Sequence, residues 1–84
     1  MDIPIGSVVI SENGRNRGYY VVVGSGKDYV LLADGKTRTA CNPKKKNKKH
    51  VKITGTVSEL IARRISADQK VGKETLKRVL KPFK

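Results

Sequence analysis

Arg15 and Arg17, bracketed by Gly14 and Gly18, and the run Lys44, Lys45, Lys46, Asn47, Lys48, Lys49, His50 are the side chains of this sequence with the most chemistry to offer. Two guanidiniums two residues apart can each fork onto a phosphate. The lysines between Pro43 and Val51 repel one another, and a bound polyanion relieves that repulsion and releases condensed counterions. Lysines are mobile point charges, so they position a ligand more than they specify it. Lys36 and Arg38 extend the cationic set. Aromatic platforms are scarce, since Tyr19, Tyr20, Tyr29 and Phe83 are all there are. Tyr19, beside Gly18, is the candidate for stacking on a base. So few aromatics favour reading of shape and backbone over reading of bases.

Catalysis finds little to work with. His50 is the single histidine, no serine or cysteine is evidently paired with it, and it reads as a phosphate-contacting or exposed imidazole rather than a general base. Seven scattered acids, one cysteine and one histidine do not make a zinc or other metal cluster. Gly24-Ser25-Gly26-Lys27 lacks the spacing of a phosphate-binding P-loop and reads as a turn. The sequence therefore predicts a binding protein, without catalytic residues, cofactor or metal.

Composition narrows the partner. The net charge is +12 over 84 residues, and it is unevenly distributed. Residues 1–41 are close to balanced at +1, residues 42–55 carry six lysines and no acid, and residues 56–84 carry +5. Such asymmetry concentrates potential on part of the surface and favours a polyanion. The lone Cys41 rules out an internal disulfide and fits a reducing compartment, where it reads as a small strand residue. No run approaches the roughly 18 apolar residues that cross a bilayer, and Met1-Asp2-Ile3-Pro4 is unlike a signal peptide. The expectation is a cytoplasmic protein with no membrane partner, monomeric when free.

The elements that must position these residues are short. Val8 to Ile10, Tyr19 to Val23 and Tyr29 to Ala33 are β-branched and aromatic runs, separated by glycine-rich turns, and read as three strands. Asp34-Gly35 is a hairpin signal for a type I′ turn, which predicts Thr37 to Cys41 as a fourth strand. The lysine run then reads as a solvated loop leading to a fifth strand, His50 to Thr54. Five short strands suggest a small SH3-like barrel over residues 1–55, a mainly β fold. The runs do not alternate with polar residues, so both faces should be buried. Residues 56–84 supply the cover. Thr56 and Glu59 have capping-box spacing, Val57, Leu60, Ile61 and Ile65 form an apolar stripe, and a second helix is expected around Lys73 to Leu80, ended by Pro82.

Gly6, Val9, Gly14, Arg15, Arg17 and Gly18 together resemble the KOW motif of ribosomal and transcription-elongation proteins. Val30 to Arg38 and Pro43 to Val51 extend the likeness to small bacterial KOW-domain RNA-binding proteins, related to large-subunit ribosomal proteins, across roughly residues 6 to 53. Asn16 departs from the pattern, because many members carry an acid there. The resemblance implies an SH3-like barrel that contacts ribosomal or ribosome-associated RNA, with ribosomal proteins as further neighbours. The RNA contacts expected on this basis and from charge are Arg15, Arg17, Tyr19, Lys36, Arg38, Lys44, Lys45, Lys46, Lys48, Lys49 and His50. Two other readings stay open: a protein-interaction adaptor on the ribosome or RNA polymerase, and a nonspecific DNA binder.

Overall fold

The β-branched residues of the first half of the chain leave few choices other than extended backbone, and the computed structural model, which describes residues 3–11, 18–36 and 38–83, places them in one antiparallel sheet. Its strands are β1 (Ser7–Ser11), β2 (Gly18–Ser25), β3 (Tyr29–Ala33), β4 (Lys44–Asn47) and β5 (Val51–Val57), in the order β4-β3-β2-β1-β5. Two helices follow, α1 (Glu59–Ser66) and α2 (Lys73–Leu80).

The joint between β4 and β5 dictates the shape. These strands lie at opposite edges of the sheet, about 19 Å apart if it were flat, at four inter-strand spacings. Only the 3₁₀ turn Lys48–His50 connects them, and four peptide steps reach about 14 Å even when fully extended. The sheet must therefore curl until its edges approach, as in a small barrel. Irregularities supply the bend: β2 and β3 slip register between Val22 and Gly24, and β1 and β5 between Ser7 and Val9. In β5 the extra residues surround Gly55, at φ +92°, and the Thr54 hydroxyl donates to the Val8 carbonyl at 2.8 Å.

Curling gives the sheet an inside and an outside, and both are apolar. Ile3, Val9, Tyr20, Val22, Val30 and Leu32 fill the interior. Val8, Val21, Val23 and Ala33 face outward and are covered by Ile61 of α1, Val71, and Leu76 and Leu80 of α2. The unbroken runs Val8-Val9 and Val21-Val22-Val23 thus supply two cores with alternate residues, as expected from their lack of polar alternation.

Gly6 locks the helices to the sheet. Its amide donates to the Val22 carbonyl and its carbonyl accepts from the Ser58 amide, each at 2.8 Å. It holds φ +92°, and a Cβ there would run into the Ser58 carbonyl. Gly35, at φ +80°, does the same beneath α2, where a Cβ would stand 2.8 Å from the Lys73 carbonyl oxygen.

Several expectations are corrected. The fourth strand is the lysine run itself, Lys44–Asn47, paired with β3, and not Thr37 to Cys41. Residues 38–42 hold only an isolated bridge between Thr39 and Asn42, and Cys41 is exposed; Thr37 lies outside the described residues. The cause is Asp34. Its Oδ1 accepts from the amides of Lys36 at 2.8 Å and Arg38 at 3.0 Å, and the Asp34 and Gly35 amides both donate to the Arg38 carbonyl. This is a carboxylate-capped loop, with positive φ at Gly35 but not at Asp34, rather than a type I′ hairpin.

The first helix starts later than the capping box predicts. Thr56 belongs to β5, Val57 pairs with Ser7, and Ser58 is the N-cap, its hydroxyl accepting from the Ile61 amide at 3.3 Å. Backbone pairing to β1 outcompetes an early helical turn. In consequence Val57 and Leu60 are exposed, and of the expected stripe Ile61 is buried and Ile65 partly so. The helix ends as Asp68 takes φ +56°, with the Gln69 amide donating to the Arg64 carbonyl at 2.7 Å and the Asp68 amide to that of Ile65 at 3.1 Å. The second helix occupies the expected Lys73 to Leu80, and Pro82 falls in the 3₁₀ turn Lys81–Phe83 that follows.

Candidate nucleic-acid interface

An all-polar segment becomes a strand here because β3 offers it a ladder. Leu32 pairs with Lys44, Leu31 with Lys45, Val30 with Lys46 and Tyr29 with Asn47. Opposite residues share a face, so Lys44 and Lys46 lie on the face of the interior residues Leu32 and Val30, half-buried at the barrel rim. Lys45 and Asn47 lie on the other face and are exposed. Lysine suits this position for a second reason: β4 is an edge strand, and charged side chains discourage another chain from pairing with its free backbone groups.

The rim has an electrostatic signature. The pKa of Lys44 is lowered, chiefly because partial burial desolvates its ammonium group, then because Lys46 and Arg38 stand nearby. Tyr20, inside the barrel, has its pKa raised, first by burial and then by the Asp34 carboxylate, with Arg38 opposing. Arg38, Lys44 and Lys46 are therefore one cationic group at the mouth of the Asp34 loop.

A second group forms past the end of β4. Asn47 caps the 3₁₀ turn, its side-chain oxygen accepting from the Lys49 amide at 3.0 Å, and the Lys48 amide donates to the Asp28 carbonyl at 3.0 Å. That bond draws the β2–β3 turn, Gly26 to Asp28, against the 3₁₀ turn. Lys27, Asp28, Asn47, Lys48, Lys49 and Val51 consequently line an open cleft of about 620 Å³.

Arg15 and Arg17 lie outside the described residues. The residues that bracket their segment do not: Ser11, the last of β1, stands opposite both Gly18 and Val51. Val51 directly follows Lys48, Lys49 and His50. Ser11 is thus a neighbour of the 3₁₀ turn, although 40 positions of sequence separate it from Val51, and Gly18 lies one strand further away. Gly18 itself does not use positive φ and has open space around it.

The remaining expected contacts disperse. His50 is exposed in the 3₁₀ turn. Lys36 is exposed in the Asp34 loop, next to Gly35, which abuts Lys73 and Lys77 of α2. Tyr19 and Tyr20 face opposite ways, as consecutive strand residues must, but neither stands free. Tyr20 is buried, and Tyr19 is half-buried with its ring centroid 5.2 Å from that of Phe83. Lys27, Lys52, Lys73 and Lys77 were not singled out by sequence reasoning. Lys27 joins the surface of the lysine run only through tertiary pairing, whereas Lys52 lies two residues past His50 in the sequence; the Gly24 to Asp28 turn cluster was the one local signal that a chain reversal would present Lys27.

Among the described residues, no three of His, Cys, Asp and Glu gather as a metal site, and no helix is long and apolar enough to cross a membrane. The chain matches no family model and no curated protein.

Proposed function

We propose that this chain is a KOW-type RNA-binding module, associated with ribosomal RNA, that works by binding and not by catalysis. The observation that carries the reading is the placement of Ser11 between Gly18 and Val51. It sets Ser11, the last described residue before the Arg15–Arg17 segment, against Val51, which directly follows the lysines of the 3₁₀ turn. Lys27 and Lys52 enlarge that region, and the Arg38, Lys44 and Lys46 group continues it along β4. A curved surface with mobile ammonium groups and no free aromatic ring suits the phosphate backbone of structured RNA.

The test uses exposed lysines only, because Lys44 and Lys46 are half-buried. Lys45→Glu/Lys49→Glu/Lys52→Glu is expected to lose binding to a ribosomal RNA fragment in a gel-shift titration while its circular dichroism stays that of the parent. Binding undiminished by the triple reversal overturns the reading.

A second reading has its own support. Ile53 and Val57 on the edge strand β5 and Leu60 at the start of α1 are exposed by 42%, 44% and 47%, which suits a protein-docking adaptor. Ribonuclease treatment separates the two: a complex held through RNA falls apart, and one held through this apolar strip persists.

A further inference from the structure

Asp28 is out of place in a simple phosphate grip. Among the described residues it is the one carboxylate lining the cleft shared by Lys27, Lys48 and Lys49. Among the described residues it is engaged through its backbone carbonyl, which accepts from Lys48, while its carboxylate has no ion pair and no side-chain hydrogen bond. Among the described residues the Asp34 carboxylate holds its loop and Glu59 lies 3.7 Å from Arg63, while Asp68 and Glu74, like Asp28, have no such partner but line no cleft. A carboxylate in a cleft lined by three lysines weakens their hold on any anion. It is useful only to a ligand that brings a hydrogen-bond donor alongside its phosphate.

A ribonucleotide is such a ligand, since its 2′-hydroxyl is a donor next to the 3′-phosphate, and that hydroxyl distinguishes RNA from DNA. The cleft volume falls in the range of about 300–1,000 Å³ typical of small-ligand sites, and Val51 supplies an apolar wall. Resting on the RNA-binding reading above, we infer that this cleft seats one ribonucleotide of the bound RNA: the ammonium groups of Lys27, Lys48 and Lys49 take the phosphate, and the 2′-hydroxyl donates to the Asp28 carboxylate. The cleft is the sugar-selective part of an otherwise sequence-blind surface.

The full chain is titrated with a labelled RNA hairpin and with the same hairpin 2′-O-methylated throughout, which keeps A-form phosphate spacing and removes every 2′-hydroxyl donor. The wild type is expected to prefer the unmodified hairpin about tenfold, the worth of one hydrogen bond to a charged acceptor. Asp28→Ala is expected to bind the methylated hairpin more tightly than the wild type does, because a negative charge is gone, and to lose the preference. Glu74→Gln, an equal charge change on α2, tightens both complexes and keeps the ratio. A preference that Asp28→Ala retains, or a wild type that binds both hairpins equally, overturns this inference alone. A wild type that binds neither overturns the RNA-binding reading and this inference with it.

Discussion

The ammonium nitrogen of Lys45 lies 4.4 Å from the centre of the Tyr29 ring. Register causes this: Lys45 pairs with Leu31 and Asn47 with Tyr29, so Lys45 and Tyr29 are diagonal neighbours on one face of the β3–β4 ladder. The contact ties the polar edge strand to the hydrophobic sheet.

Removing either partner of that contact costs stability. Tyr29→Leu and Lys45→Ala should each lose about 0.5–1 kcal/mol, as exposed cation–π pairs do. In urea unfolding the double variant should lose less than the sum of the two, because they share one interaction.

Two of the motif glycines should behave in opposite ways. Gly6→Ala forces a Cβ onto the Ser58 carbonyl at positive φ, with an expected loss of about 2–4 kcal/mol from backbone strain and overpacking. Gly18→Ala meets nothing within 4 Å and should be neutral or gain up to about 1 kcal/mol. Thermal unfolding of the two variants distinguishes a structural glycine from a tolerant one.

Ser58→Ala should destabilise by about 1 kcal/mol through loss of the cap on α1. Thr56→Ala leaves that cap intact. Equal losses of helical ellipticity on warming the two variants would contradict Ser58 as the first capping residue.

The alkaline behaviour of the fold has two opposed contributions. Tyr20 holds its proton more tightly in the folded chain, so its contribution is present below its ordinary value of 10.0 and is lost as pH rises towards the higher folded value. Lys44 holds its proton less tightly, so its charged form costs stability at neutral pH, and that cost is relieved as pH rises from the lowered folded value towards 10.5. Tyr20→Phe should therefore resist alkaline unfolding better than the parent. Lys44→Met should gain stability at pH 7 and lose the alkaline relief. Urea midpoints measured at pH 7, 9 and 11 check both signs.

Salt dependence tests the phosphate grip without any variant. Six engaged phosphates give a slope of log affinity against log salt near about −4, with the single-strand coefficient, and each lysine removed from the contact surface should lessen it by about 0.7. A flat salt response would count against an electrostatic interface.

Three strands and the second helix were legible nearly to their ends, and the fifth strand and the first helix in outline, because their signals are local. Val8-Val9, Val21-Val22-Val23 and Tyr29 to Ala33 are β-branched or aromatic over the length of a strand, and Leu76, Val79 and Leu80 recur at helical spacing before Pro82. The unequal spread of charge was equally plain, and with it the preference for a polyanion. None of this depends on what lies across the fold.

The lysine run was not legible as a strand, because Lys44 to Asn47 has no apolar period and no strand propensity of its own. It is extended because β3 has an unpaired edge and because Asp34 caps its loop with a carboxylate, postponing the chain reversal past Thr39. Nor does spacing along the chain put Lys27 beside Lys48, or Ser11 beside Val51. Those pairings follow from the β3–β4 and β1–β5 ladders. Residue types decided what could bind; strand pairing across the curled sheet decided which of them stand together.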